Sequence, residues 1–295
     1  MSFARTLQDH GARLITRRLP GARLAIQSGG CGFFGDVFMA LNGIRFAELN
    51  GLACEVAWGR RSLYFEPGAE ENVWSHFFLD SRYDFVAGAS RPRPIPAPYR
   101  PGAHDFIAYP GLTVRRSVAQ AIARFCRVRP KILAEVEGFA ASRFRPQGMV
   151  GVHVRLTDAA RGHESRRSVG LDHFLAATEQ ALERYADAGV FLATDDAGVV
   201  DRFGAAFGDR VVMRDCIRST DGASLHGHYD AGVAGSALQK GEEVMVDALL
   251  LSGCRHIVRS HSRVTCFSLC VDPTLPFTDL DRIHLGLERT PWLHV

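Results

Sequence analysis

Residues 22–58, ARLAIQSGGCGFFGDVFMALNGIRFAELNGLACEVAW, decide the fold class of this chain. An apolar run at 22–27 leads into a glycine-rich turn, after which apolar residues recur at helical spacing up to Gly51, a residue suited to end a helix. A second apolar run follows at 53–58. This order predicts a strand–helix–strand unit. It therefore predicts a parallel sheet, because two strands joined by a crossover helix run in the same direction.

Alternation of strands and helices returns in the second half of the chain. Between the two runs lie a segment at 90–102, whose five prolines exclude a helix or an inner strand, and two helical patterns at 114–128 and 130–144. The later strands and helices are predicted at 149–154, 171–189, 190–194, 209–213, 241–254 and 255–260. We therefore predict an α/β protein with two domains, at 1–145 and 146–295, that face each other across a cleft.

Composition limits the class of protein. The chain has 295 residues, 46% hydrophobic and 23% charged, as in globular proteins, and no apolar run approaches the roughly 18 residues that span a bilayer. The N-terminal stretch lacks the apolar core of a signal peptide, and the seven cysteines form no CxxC pair, so we expect a cytoplasmic protein with reduced thiols. The net charge of +3 gives no reason to expect a nucleic-acid partner. Only Lys131 and Lys240 are lysines, so an anion site is expected to use arginine.

The glycine-rich turn permits two interpretations. Residues 30–35 match the dinucleotide fingerprint G-x-G-x-x-G, and Glu55 lies twenty residues further on, so an NAD-type oxidoreductase is one hypothesis. Glu55 falls early in its strand, however, and two adjacent phenylalanines indicate a turn that packs against other residues. The structural alternative is a tight strand-to-helix turn without a ligand; otherwise Gly32 and Gly35 belong to a turn and helix start whose N–H groups can bind a polar ligand.

A second candidate site is GVHVRLTD at 151–158, where a buried strand ends. His153 and Arg155 are two residues apart, so their side chains share one face of the strand. Ligands of open α/β sheets bind beyond the carboxyl ends of the strands, where an arginine suits a phosphate and a histidine can bind a base or sugar oxygen. The structural alternative is a buried histidine beside an Arg155–Asp158 ion pair.

Further polar residues follow the later strands and helices. Asp195 and Asp196 end a Thr-Asp-Asp sequence, and either of them could cap the next helix. The functional alternative is that Asp196 contacts a ligand. Asp247 lies among apolar residues of a helix and therefore needs a partner or a ligand, because burying a lone carboxylate is costly. Ser262 belongs to a turn that opens a helix and can bind an anion. His226 and His228 lack a third ligand, and the Asp-Asp pair has no supporting ligands, so we expect no metal.

The motifs GVHVRLTD, FLATDD and VMVDALLLSGCRHIVRSHS, in this order, resemble the fucosyltransferase superfamily, which includes nodulation fucosyltransferases, core α1,6-fucosyltransferases and protein O-fucosyltransferases. The resemblance implies a GT-B fold, in which two Rossmann-like domains face each other and the C-terminal one holds the nucleotide. It implies inverting, metal-independent transfer of a sugar, typically L-fucose from GDP-fucose, to a glycan or other hydroxyl acceptor. No cofactor beyond this donor substrate is implied.

The resemblance also assigns roles to residues. His153 and Asp247 would contact guanine, and Arg155 would hold the β-phosphate and stabilise the departing GDP. Ser262 would add a phosphate contact, and Asp196 would orient loops or ligand groups. Glu164 would act as general base; its structural alternative is a loop residue exposed to solvent.

Leu156 departs from the family pattern, because core fucosyltransferases carry a second arginine at that position. One anion contact is therefore missing. The departure keeps open a further hypothesis, a nucleotide-sugar or glycan-binding protein that has lost catalysis.

Overall fold

The computed structural model describes residues 23–30, 32–66, 72–85, 111–155, 169–221, 237–260 and 262–285. The chain forms two compact units, the first made of residues 1–103 and 120–129 and the second of residues 104–119 and 130–295. The helix that begins at Pro130 therefore groups with the second unit, whereas the boundary predicted at 145/146 assigns it to the first domain.

The first unit contains the predicted strand–helix–strand motif. Its sheet has the order β1-β2-β3, in which β1 and β2 are parallel and β3 is antiparallel to β2. The elements are β1 (Leu24–Ile26), α1 (Phe33–Asn50), β2 (Cys54–Val56), α2 (Val73–Phe77) and β3 (Arg82–Tyr83). Helix α1 ends at Gly51, whose φ of 62° is the left-handed conformation that glycine adopts without strain. The parallel unit and its glycine cap are thus confirmed.

The second unit is built on a sheet of five parallel strands in the order β6-β5-β4-β7-β8. Its strands are β4 (Met149–Val154), β5 (Gly189–Thr194), β6 (Val211–Val212), β7 (His256–Arg259) and β8 (Phe277–Asp279). Counted within the unit, this order is 3-2-1-4-5, the order of a Rossmann sheet. The chain builds outward from β4 in one direction and then returns to build in the other, so the strand order reverses between β4 and β7.

Helices cover both faces of this sheet. The remaining helices are α3 (Leu112–Phe125), α4 (Pro130–Arg143), α5 (Leu171–Arg184), α6 (Ala197–Phe207), α7 (Ala237–Ser252), α8 (Arg263–Val271) and α9 (Leu280–Leu285). Val150, Val152 and Val154 of β4 join the core under α5 and α6, together with Phe174 and Phe203. Among the helices that the structure describes, none has the length and apolar character to cross a bilayer.

The opposite face of the sheet is covered by α4 and α7. A Cβ atom added to Gly151 would lie 2.9 Å from Leu251 Cδ2 and 2.9 Å from Cys254 Sγ, so α7 packs closely over the middle of β4. The two helices are linked at their surface by an ion pair between Lys131 Nζ and Glu242 Oε1 (2.8 Å). Because successive residues of a strand alternate between faces, His153 shares the α7 face with Gly151.

Some elements differ from the sequence prediction. Strand β6 covers only two residues, because a 3₁₀ turn at Gly208–Arg210 replaces its predicted start. Strand β8 and helix α9 were not predicted. They have only three and six residues, which is too short for a recognisable apolar pattern. The proline-rich segment at 90–102 lies outside the described residues.

Candidate functional site

The carboxyl ends of β4 and β7 lie side by side where the strand order reverses. In open α/β sheets this crevice is the usual ligand site, because the loops there diverge to opposite sides of the sheet. The parallel register pairs His153 of β4 with Arg259 of β7, and Arg259 with Asp279 of β8. Arg155 follows β4 directly and is half-buried. The structure therefore brings the predicted His153 and Arg155 to the expected end of the sheet.

His153 is buried, with 7% of its surface exposed. Its Nδ1 atom has no hydrogen-bond partner in the part of the chain that the structure describes. Burial, and then the positive charges of Arg155 and Arg259, lower the pKa of His153 to about 3. The imidazole is therefore neutral at pH 7, with one nitrogen as donor and the other as acceptor.

Arg259 is a buried charged residue at the same edge that the sequence did not single out. Its side chain is fully buried, and Nη1 lies 3.1 Å from Oδ2 of Asp279. Nε donates to the carbonyl oxygen of Ser260 (3.1 Å), and Nη2 lies 3.7 Å from Cys266 Sγ. The charge is thus paired inside the protein. The sequence shows an arginine at the end of an apolar strand, which could have pointed to Arg259. It was missed because its acidic partner, Asp279, lies twenty residues later.

Asp247 lies on α7, one turn before Leu251. Helix α7 leads through a tight turn into β7, and Arg255 N donates there to Met149 O (2.8 Å) at the amino end of β4. The helix therefore runs antiparallel to the strands. Since Leu251 lies over Gly151, Asp247 lies nearer the carboxyl end, on the side of the sheet that carries His153.

The Asp247 carboxylate has an ionic partner, Arg214, as its apolar surroundings predict. Arg214 Nη1 lies 3.4 Å from Asp247 Oδ1. Burial raises the pKa of Asp247 to about 6, although the positive charge of Arg214 acts in the opposite direction. Arg214 was not predicted, because it lies 33 residues from Asp247 in the irregular segment after β6.

The segment after β6 is joined to the end of β5. Ser219 N donates to Asp195 O (2.8 Å), and Ala197 N donates to Ser219 O (2.9 Å). Asp196 itself caps α6, because its side chain accepts a hydrogen bond from Gly198 N (2.8 Å). The structure therefore shows the capping alternative for Asp196, and its role towards a ligand stays a prediction.

Ser262 begins α8 beyond the carboxyl end of β7. Its Oγ accepts a hydrogen bond from Val264 N (3.2 Å), so it is the N-cap of that helix. An accepting hydroxyl keeps its own proton free to donate. Ser262 therefore combines a hydroxyl donor with a helix N-terminus at the same edge as Arg155, which suits an anion.

In the first unit, the glycine-rich turn is occupied by the chain's own side chains. Gly32 has a φ of 82°, in the left-handed region that favours glycine, and Gly35 is buried in the first turn of α1. The Asp36 carboxylate accepts hydrogen bonds from Ser28 Oγ (2.5 Å) and Gly29 N (3.0 Å). An acidic group at this position disfavours a dinucleotide pyrophosphate.

The first helical N–H of α1 is also used within the unit. Phe33 N donates to the Tyr64 hydroxyl (3.0 Å), and the Phe33 ring packs against Trp58 and Tyr64. Glu55 lies in the middle of β2 and pairs with Arg82 (Nε to Oε1, 3.0 Å). These contacts favour the packed-turn interpretation over the oxidoreductase hypothesis.

Other predicted residues lie outside the described part of the chain. These are Asp158, Glu164, His226 and His228, and also Leu156, the position of the missing arginine. Within the described ranges, no group of three or more His, Cys, Asp or Glu side chains is arranged to hold a metal ion.

No family model and no curated protein matches this chain. Solved structures do match. The crystal structure of NodZ alpha-1,6-fucosyltransferase co-crystallized with GDP aligns with a TM-score of 0.53 and 18% identity over 88% of this chain and 96% of that chain. The same enzyme soaked with GDP-fucose gives 0.52 and 18% over 85% and 94%, and fucosyltransferase NodZ from Bradyrhizobium gives 0.53 and 17% over 88% and 96%. The predicted resemblance to the fucosyltransferase superfamily is confirmed at the level of the fold.

Proposed function

From the NodZ-like fold, we propose that this chain is a glycosyltransferase that transfers a sugar, L-fucose, from GDP-fucose to a hydroxyl acceptor on a glycan or another molecule. One observation carries the proposal. The edge where the strand order reverses combines a neutral histidine, an arginine and a serine-capped helix start, and Asp247 lies on the same side of the sheet. Together these groups offer partners for a base and for a diphosphate.

The base end of the donor would use His153 and Asp247. The hydrogen-bonding edge of guanine carries two adjacent N–H donors, which an ionised carboxylate can accept with its two oxygens. Of the two Asp247 oxygens, only Oδ1 is bonded to Arg214. The buried neutral imidazole of His153 would add one further donor or acceptor.

The diphosphate end would use Arg155 and Ser262. As the sugar is transferred, negative charge grows on the β-phosphate of the departing GDP, and a fixed guanidinium stabilises that charge without a metal ion. The hydroxyl of Ser262 and the N-terminus of α8 would add hydrogen bonds. Glu164 is our proposed general base for the acceptor hydroxyl, in a reaction with inversion.

The domain arrangement and the location of the protein complete the proposal. The two compact units would be the two domains of a GT-B enzyme, with the donor on the second. The free cysteines in the described residues, five of them buried, are consistent with the cytoplasm.

The first test is GDP binding by calorimetry, with wild type compared with Arg155→Ala. Losing a charge-assisted contact to phosphate should weaken binding by about tenfold to a hundredfold. The matched control is Arg202→Ala, which removes an arginine that pairs with Asp172 at the surface of the same unit (Nη2 to Oδ1, 2.7 Å) and should bind GDP like wild type. Equal affinity of wild type and Arg155→Ala would contradict the phosphate role.

A second measurement separates an enzyme from a binding protein. GDP-, UDP- and TDP-sugars are offered with a panel of acceptors, and release of the nucleoside diphosphate is followed. Release from GDP-fucose supports the proposal. Binding of GDP-fucose without release, with every acceptor, would instead favour the binding-protein hypothesis that Leu156 keeps open.

A further inference from the structure

Arg214 joins two helices of the second unit through its guanidinium. Nη1 contacts Asp247 Oδ1 (3.4 Å) and donates to the carbonyl oxygen of Glu243 on α7 (3.0 Å). Nη2 pairs with Glu135 on α4. The Arg214 side chain is 10% exposed, so its contact with Asp247 is largely screened from water, whereas its contact with Glu135 lies at the surface. One planar group therefore has two nitrogens directed to two different helices.

The backbone that carries Arg214 is itself fixed. Arg218 Nη2 donates to Arg214 O (2.6 Å), and Arg218 Nη1 donates to Cys216 O (3.2 Å). One residue further, Ser219 pairs with the chain at the end of β5. Because the segment is held at both places, the guanidinium has a defined position relative to α7.

Asp247 depends on this arrangement more than Glu135 does. The Asp247 side chain is 20% exposed and that of Glu135 is 40% exposed, so water screens the charge of Asp247 less. Burial raises the pKa of Asp247 to about 6, and Arg214 is the largest influence that lowers it. The charged and titratable side chains around Asp247 are Arg214, Arg218, Glu243, Glu135, Cys216 and, on the same side of the sheet, His153.

We propose that Arg214 is a positioning residue for the nucleotide base: it fixes one oxygen of Asp247, keeps the carboxylate ionised at neutral pH, and so makes the donor site selective for guanine. This inference rests on the proposed function. It adds to it the residue that controls base selectivity, although Arg214 itself does not touch the base.

Base selectivity follows from the charge state of Asp247. An ionised carboxylate only accepts hydrogen bonds, and therefore fits the N1–H and 2-amino donors of guanine. A protonated carboxyl donates one hydrogen bond and accepts another, which fits adenine, because adenine offers one donor and one acceptor on that edge. Loss of Arg214 should therefore weaken GDP binding near neutral pH and narrow the difference between GDP and ADP.

The experiment measures GDP and ADP binding by calorimetry from pH 5 to pH 8.5. For wild type, GDP affinity should fall as pH drops through about 6, because Asp247 becomes protonated. For Arg214→Gln, the midpoint of that loss should rise by about one pH unit or more, and the preference for GDP over ADP at pH 7 should shrink about tenfold. For Arg214→Lys, which keeps the positive charge, the midpoint should stay closer to that of wild type.

Controls distinguish positioning from a purely structural role. Asp247→Asn removes the titrating side chain and leaves the titration of the terminal GDP phosphate, which is the same for every variant. The difference in pH dependence between wild type and Asp247→Asn therefore reports on Asp247, and adding Arg214→Gln to Asp247→Asn should not change the pH dependence further. If Arg214→Gln does not fold, Glu135→Gln is used instead: it removes the negative charge that competes with Asp247 for Arg214, so the midpoint should move to lower pH by less than about one pH unit. An unchanged midpoint in Glu135→Gln would count against the role of Arg214. Arg202→Gln should match wild type throughout.

The measurements distinguish failure of the Arg214 role from failure of the proposed function. GDP binding by wild type with the same pH midpoint in Arg214→Gln would overturn the role of Arg214 and leave the proposed function intact. No GDP binding by wild type at any pH would overturn the proposed function and the inference that rests on it. A shifted midpoint in Arg214→Gln, with partial return in Arg214→Lys, supports the inference.

Discussion

At the scale of single residues, the edge of the second sheet contains side chains whose charge is costly to bury. Each of them is either paired with an opposite charge or neutral. Arg259 is neutralised by Asp279, and Asp247 by Arg214. His153 has no acidic partner among the described residues, and it avoids a buried charge by staying neutral. A neutral histidine beside two arginines can bind a ligand without adding to the positive charge of the site.

The state of His153 predicts how stability depends on pH. Its pKa is lowered from 6.5 to about 3 in the folded protein. Below pH 6.5 the unfolded chain takes up a proton that the folded protein does not, so this residue costs about 2 kcal/mol of stability at pH 5 and nothing above pH 6.5. His153→Gln has no such loss. The free energy of unfolding of His153→Gln minus that of wild type should therefore be about 2 kcal/mol larger at pH 5 than at pH 8.

Urea unfolding of both proteins at pH 8 and pH 5 checks this. The raised pKa of Asp247 acts in the opposite direction, but both proteins contain Asp247, so its effect cancels in the difference. A stability difference that is the same at both pH values would contradict a neutral His153.

At the scale of elements, the position of α7 decides where Asp247 lies. The helix approaches β4 closely because Gly151 has no side chain, and the atoms nearest to it belong to Leu251 and Cys254. One turn of α7 then separates Leu251 from Asp247. A larger residue at position 151 would therefore disturb the packing of α7 on β4, and through α7 it would also shift Asp247.

Two glycine substitutions should have opposite effects. Gly151→Ala would place a Cβ 2.9 Å from Leu251 Cδ2 and should destabilise the protein by about 1–3 kcal/mol through overpacking. Gly138→Ala, in α4, meets no atom within 4 Å and should stabilise by about 0.5–1 kcal/mol, because alanine favours a helix. Chemical denaturation measures both. Destabilisation by Gly138→Ala, or a neutral Gly151→Ala, would show that the packing differs from that described.

At the scale of the whole molecule, the strand order brings distant parts of the sequence to one edge. Residues 153–155 and 259–262 are neighbours there because β4 and β7 pair directly, although about a hundred residues separate them. The compact unit that contains this edge is distinct from the unit that contains the glycine-rich turn. We therefore expect the two units to respond differently to a nucleotide.

Calorimetric unfolding with GDP tests that expectation. GDP at about 100 times its Kd should stabilise the unit that binds it by about 2.7 kcal/mol, and so raise the Tm of that unit by about 5–10 °C. A second, unshifted transition should remain for the other unit. ADP at the same concentration is the control and should shift the transition of the binding unit less than GDP does. Equal shifts of both transitions, or a single transition for the whole chain, would contradict units that unfold separately.

The sequence predicted those features that depend on local pattern. Strand β4 was predicted at its observed bounds, and the end of α1 followed from Gly51. The starts of α6 and α8 followed from the Asp195–Asp196 pair and from the turn at Ser262, because caps act within three residues of the chain. Asp247 was recognised as needing a partner, because its apolar neighbours on the helix are local as well.

Contacts between distant segments could not be predicted in this way. Arg214 lies in a segment without periodicity, and its partners on α4 and α7 are 79 and 33 residues away. The Arg259–Asp279 pair depends on β8, a strand of three residues that was itself not recognised. The groups that compensate charges at the candidate site were therefore the ones that only the three-dimensional structure could show.

The ion pair between α4 and α7 has a practical consequence for labelling. Lys131 and Lys240 are the only lysines of the chain. The Lys131 side chain is 75% exposed, whereas Lys240 is buried at 8%. Among the lysine side chains, an amine-directed fluorophore should therefore attach to Lys131, once the α-amino group of the chain has been blocked. Its emission would report on the junction of the helix that carries Glu135 with the helix that carries Asp247, without a cysteine having to be introduced or removed.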